Sequence, residues 1–188
     1  MRNLIHKDID YCNKLNENSE FFNLLSLLKD IESNDYSVCY PFSNPLMNFY
    51  SPFVLSFIGI ILLSIKQPGI GTILDNIFNK ISNTYNKNGL FNFFGNGKYY
   101  FDLDTTSVVN TFLFLYHQKL GTHGYTLDIV STHRDVNWGC FYTWYNRDKN
   151  NFDWFVNYNY FIYLKLIGHY DNELEYYLKK NLLDFLVN

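Results

Sequence analysis

Phe101-Asp102-Leu103-Asp104-Thr105-Thr106-Ser107-Val108-Val109 lies mid-chain, and its reading decides how the rest is organised. Two carboxylates one residue apart open an apolar pattern, Val108, Val109, Phe112, Leu113, Phe114, Leu115 and Tyr116, which Gly121 stops. Such a pair has three readings: a solvated turn, a helix N-cap, or a Brønsted acid in an apolar pocket. Asp is among the best capping residues, so Asp104 is a natural cap. Just before a helix the chain is extended, so positions i and i+2 point the same way and the two carboxyls can share a site. Two carboxyls in low dielectric do not both ionise, and one keeps its proton at neutral pH.

Outward from this stretch the chain reads as helices. The apolar spacing of Phe21, Leu24, Leu25 and Leu28 predicts a first helix from Ser19 to about Ile31. Residues 1–17 give a weak signal that fits a loose arm or a short helix, and Pro41 and Pro45 mark a loop. Ser51-Pro52 is a capping hydroxyl followed by proline at the first helical position. The helix it opens, Phe53 to about Lys66, is apolar nearly all round, which predicts burial on every side. After Pro68-Gly69, the residues Ile70, Ile73, Leu74, Ile77, Phe78 and Ile81 form one stripe, the mark of a helix covered on one face only. Tyr125 to Ser131 is a short outer-helix candidate, and Asp153 to about Ile167 is a third apolar helix closed by Gly168. Asn172 and Glu175, at capping-box spacing, open the last helix.

These elements repeat. Gly89-Leu-Phe-Asn-Phe-Phe and Gly139-Cys-Phe-Tyr-Thr-Trp are 50 residues apart, and helix starts read at Ser51, Asp104 and Asp153 are separated by 53 and 49. Cys39-Tyr40-Pro41-Phe42 is a candidate older copy of the glycine turn. Each unit is an aromatic turn, a cap, an all-round apolar helix and a one-faced helix. A repeat of that length predicts stacked or ringed helical hairpins, an all-α α/α barrel or an arc of one, in a single domain over residues 1–188.

Composition limits the partners. The 188 residues carry 18 acidic and 15 basic side chains, with no basic stripe suited to a nucleic-acid backbone. Aromatics reach 20 %, part of which follows from A/T-rich codons. Cys12, Cys39 and Cys140 are odd in number and far apart, so neither a disulfide framework nor a metal spacing is expected and a reducing cytoplasm is the default. Met1 to Tyr11 has no apolar core for a signal peptide, and Phe53 to Ile65 is too short to cross a bilayer. His117, His123, His133 and His169 show no metal spacing.

The glycine turns and Asp102-Leu-Asp104-Thr-Thr, with Asp153-Trp-Phe-Val-Asn157-Tyr-Asn159, resemble the terpenoid cyclase and protein prenyltransferase toroids. Class II terpene cyclases, with their D-x-D-D/T-T acid motif, are the most similar branch, over roughly residues 35–186. The resemblance implies an α/α toroid, Asp104 as the general acid that protonates an alkene or epoxide of a polyprenyl chain, and Asp102 as its neighbour. No cofactor or metal is expected, with Mg2+ a candidate only if the substrate is a diphosphate. Phe93, Phe94, Phe101, Trp138, Trp144 and Trp154 are the candidate walls for a carbocation, each ring contributing about 0.5–2 kcal/mol. Thr105 and Asn159 are further candidates for substrate contact. The motif has Thr105 at its fourth position, a variant found in the family. A ring of five or six hairpins needs more than 188 residues, so the resemblance implies a partial ring or one completed by a homodimer or partner subunit.

Blander readings stand beside these. Asp104 can simply cap, Asp102 can be a solvated turn residue, the aromatic turns can be packing wedges, and Asn157 and Asn159 can pair at a helix start. A non-catalytic hairpin scaffold that binds a lipid-like chain or a protein is the alternative function. The zinc site of the protein prenyltransferases fails, because Asp135 and Cys140 are five residues apart rather than in an Asp-x-Cys pair. The Asp-rich D-D-x-x-D motif of ionising synthases is absent, and Asp171-Asn-Glu-Leu-Glu175 reads as a helix start.

Overall fold

In the computed structural model, Ser51 takes an extended conformation and its Oγ accepts from the Val54 N–H, so a helix begins at Pro52. This helix, α1, covers Pro52–Leu63. Residues 37–40, 47–65, 68–84, 86, 89–119, 134–135, 137–145 and 151–187 are described. The expected helix near Ser19–Ile31, the arm over 1–17, the segment Tyr125–Ser131, Cys12, His123 and His133 lie outside them. The chain divides into two compact units, Met1–Phe49 and Tyr50–Asn188. In the first, β1 (Ser37–Tyr40) pairs with β2 (Met47–Tyr50) in a two-stranded sheet where only a proline-marked loop was expected. Both strands are short runs rich in β-branched or aromatic residues, the types that suit a pleated surface.

Among the described residues the regular elements of the second unit after Tyr50 are all helices: α1, α2 (Ile70–Ser82), α3 (Leu103–Lys119), α4 (Trp154–Leu166) and α5 (Asn172–Val187). This part of the chain is therefore all-α. Helix α2 follows Gly69, whose φ of 87° suits glycine, and it buries Ile70, Leu74, Ile77 and Ile81 as its stripe predicts. It packs on α1. Helix α3 packs against both α1 and α4, and α5 packs on α4. Gly59 lets α1 and α3 close up, because a Cβ there would lie 2.4 Å from the Phe112 ring. The fully buried Leu55, Leu62, Phe112, Leu113, Tyr163 and Leu178 hold these faces together. Each such side chain contributes about 1.5–3 kcal/mol relative to exposure.

Three expectations change. Helix α3 begins one residue after Asp102, so the comparable starts are Ser51, Asp102 and Asp153, spaced evenly by 51. In the last helix the cap is Asp171, whose Oδ1 accepts from the Leu174 N–H, while Glu175 pairs with Lys165 and Lys179 instead of closing a capping box on Asn172. Finally, of the three largely apolar helices α3 is buried nearly all round, but α1 and α4 are not. Phe57 and Ile61 on α1 are 41 % and 57 % exposed, and Phe155, Ile162 and Leu166 on α4 are 81 %, 51 % and 38 % exposed.

Candidate functional site

The second and third of these starts share one construction. Gly89 and Gly139 both take positive φ, and two residues later Phe91 and Phe141 are gripped by a side chain from the first turn of the following helix. Thr106 Oγ1 accepts from the Phe91 N–H and faces its carbonyl. Asn157 does the same for Phe141, with Oδ1 accepting at 2.7 Å and Nδ2 donating at 2.9 Å. Thr106 and Asn157 each lie four residues after their cap. The turn between Gly89 and α3 is also tied to the next turn, since Leu103 N–H donates to Thr143 O at 2.8 Å and Tyr145 N–H to Phe101 O at 2.9 Å.

Asp102 caps α3. Its Oδ1 accepts from the Thr105 N–H at 2.7 Å and its Oδ2 from the Phe93 N–H at 3.2 Å. At 5 % exposure it is not a solvated turn residue. Burial pushes its pKa up to about 6 against those hydrogen bonds, and the Asp104 charge adds to the rise.

Asp104 is not the cap. It sits inside the first helical turn, half-buried, so the extended geometry that would point both carboxyls one way does not hold. Its Oδ1 instead accepts from Asn159 Nδ2 at 2.7 Å, joining α3 to α4 across 55 residues of sequence. Burial raises its pKa, the Asn159 hydrogen bond lowers it, and the charge that raises it further is Asp153. Asp153 caps α4 through the Phe155 and Val156 N–H groups.

The other candidates divide into two groups. Phe93, Phe101, Thr105 and Trp144 gather around Asp102: Phe93 and Thr105 through their N–H groups, Phe101 as the buried residue before it, and Trp144 as its backbone bridge partner. Phe94 packs edge-on to Phe93 and lies 4.3 Å from Tyr99. Trp154 and the half-exposed Trp138 instead pack around Phe152, at 5.3 and 6.0 Å. Phe53 and Phe57, not anticipated, extend the first group: Phe53 meets Phe93 at 5.7 Å and Phe57 at 5.0 Å. Aligning the three caps would have exposed this, since Phe53, Asp104 and Phe155 each lie two residues after theirs.

Phe155, Asn159, Ile162 and Leu166, spaced by four, three and four, form one stripe of α4. Asp104 therefore bonds to the one polar member of an exposed apolar strip. Comparison of the chain with protein-family models, with curated proteins and with solved structures found no match.

Cys140 is buried, which pushes its thiol up to about 11, so it is no nucleophile at neutral pH. Asp135 accepts from the Tyr142 hydroxyl at 2.6 Å, and His117 packs edge-on to Phe78 at 5.4 Å. Among the described residues no three His, Cys, Asp or Glu side chains converge on a metal-sized site, and no helix is long and apolar enough to cross a membrane.

Proposed function

We propose that this chain is an α/α-toroid-type arc that protonates a hydrophobic isoprenoid, in the manner of a class II terpene cyclase, with Asp104 as the acid. The supporting observation is that Asp104 is spared from capping, half-buried with a raised pKa, and hydrogen-bonded to an apolar strip of the next helix. The row α1–α3–α4, flanked by α2 and α5, agrees with inner and outer helices of an arc. In the first step the Asp104 O–H bond breaks, its proton forms a C–H bond with one alkene carbon, and the π pair leaves the other carbon cationic. The cyclised cation ends by returning a proton from carbon to the carboxylate. Asp153 takes the part expected of Asp102, a second negative charge that raises the Asp104 pKa after burial has done so. Phe93, Phe53 beside it and Phe57 beside Phe53 are the rings we assign to the cation.

The test is incubation with polyprenyl diphosphates, with and without Mg2+, and with neutral polyenes, followed by analysis for cyclic products. The acid reading requires products from wild type and their loss in Asp104→Asn. The scaffold alternative is favoured by the openness of Phe155 and Ile162, which a water-excluding site would cover. It requires binding of the same polyenes without turnover.

A further inference from the structure

Asp104 and Asn159 meet at 2.7 Å from two different helices, and their bond is a polar link between the start of α3 and the strip on α4. Asn159 is not consumed by the helix start, because Asn157 grips Phe141 and Asp153 supplies the cap. An amide Nδ2 only donates, whereas a protonated carboxyl has one accepting oxygen and one O–H. We infer that Asn159 is the positioning residue of the acid: its Nδ2 holds Oδ1 of Asp104 and leaves the proton on Oδ2. The inference rests on the reading of Asp104 as the proton donor. When the proton leaves, the Asn159 bond becomes charge-assisted and strengthens, so it favours the transferred state over the resting one. The charge facing Asp104 is Asp153 from the start of α4, and it acts in the opposite sense; the Asp104 charge in turn raises Asp102.

The experiment titrates Asp104 by carbon-13 NMR in protein labelled at the aspartate carboxyls, its resonance assigned by its loss in Asp104→Asn. Removing a donor to the carboxylate should raise the Asp104 midpoint by about one pH unit in Asn159→Leu, a tenfold change in its ionisation constant. Asn159→Gln should recover part of that change. On any polyene that is turned over, kcat should fall about 10- to 100-fold with KM little altered. An unmoved midpoint assigns Asn159 to packing alone, and a lowered one means that Asp104 donates to the Asn159 oxygen instead; either overturns the proposal. If Asn159→Leu does not fold, Asn159→Ala, smaller and without a donor, is read against the same criterion. The titration needs no substrate, so absence of turnover defeats the proposed reaction without deciding the role of Asn159.

Discussion

Two backbone N–H groups donate to Asp102 at a helix N-terminus, an arrangement that ordinarily favours the carboxylate. Burial outweighs them here and carries the group from 3.8 to about 6. A folded pKa above the unfolded one adds stability that is complete below about pH 3.8 and is lost as pH rises through about 6. By linkage the loss is at most about 3 kcal/mol. Asp102→Asn keeps a capping oxygen, so it should fold and lack this dependence. Chemical denaturation of both proteins from pH 4 to 7.5 checks the sign. Wild type should lose about 1–3 kcal/mol relative to Asp102→Asn over that range, and a constant difference would rule out the raised pKa. Comparing the two proteins removes the opposite contribution of Glu175, which Lys165 and Lys179 hold down to about 2.

At the scale of elements, α1 and α3 depend on Gly59, and α3 and α4 depend on the grip of Thr106 and Asn157 on the turns. An alanine in a helix interior normally improves on glycine by about 0.5–1 kcal/mol. At Gly59 the sign should reverse, because the new methyl falls within 2.4 Å of a ring that is itself fully buried. Gly59→Ala should lower stability by about 1–3 kcal/mol, measured by thermal unfolding, and Phe112→Leu in the same chain should recover part of it. Asn157→Leu strands the N–H and carbonyl of Phe141, at roughly 1–3 kcal/mol, whereas Asn157→Thr borrows the residue of the previous unit and should cost less. Equal losses for the two would mean that the units do not share this device. Periodicity and capping chemistry made α1, α2 and α4 legible, since Ser51-Pro52 and the stripe of α2 are local signals. The start of α3 was not legible to the residue, because Asp-x-Asp offers two caps and the Phe93 N–H that helps select Asp102 lies nine residues upstream. Locality also hid the Asp104–Asn159 bond, which exists only because α3 packs on α4.

Across the molecule, hydrophobicity alone could not separate a helix buried on all sides from one whose open face awaits an apolar guest; the two have the same composition. Phe155 and Ile162 are the test of that difference, being large, apolar and more than half exposed on the strip that carries Asn159. Because these side chains bury little, replacing either with Asp should change unfolding stability by no more than about 0.5 kcal/mol. Binding should respond more strongly. A hydrocarbon chain laid along the strip desolvates both side chains, so each Asp removes apolar contact and opposes it with a charge that the bound chain cannot solvate. Affinity for a fluorescent polyene, measured by titration, should fall at least about tenfold in Phe155→Asp and further in the double variant. A control charge on another helix, Leu183→Asp on α5, should leave that affinity unchanged, since Leu183 is comparably exposed but does not belong to the strip on α4. If all three variants lose affinity alike, the polyene is merely adsorbing to exposed apolar surface, and the strip is no binding face.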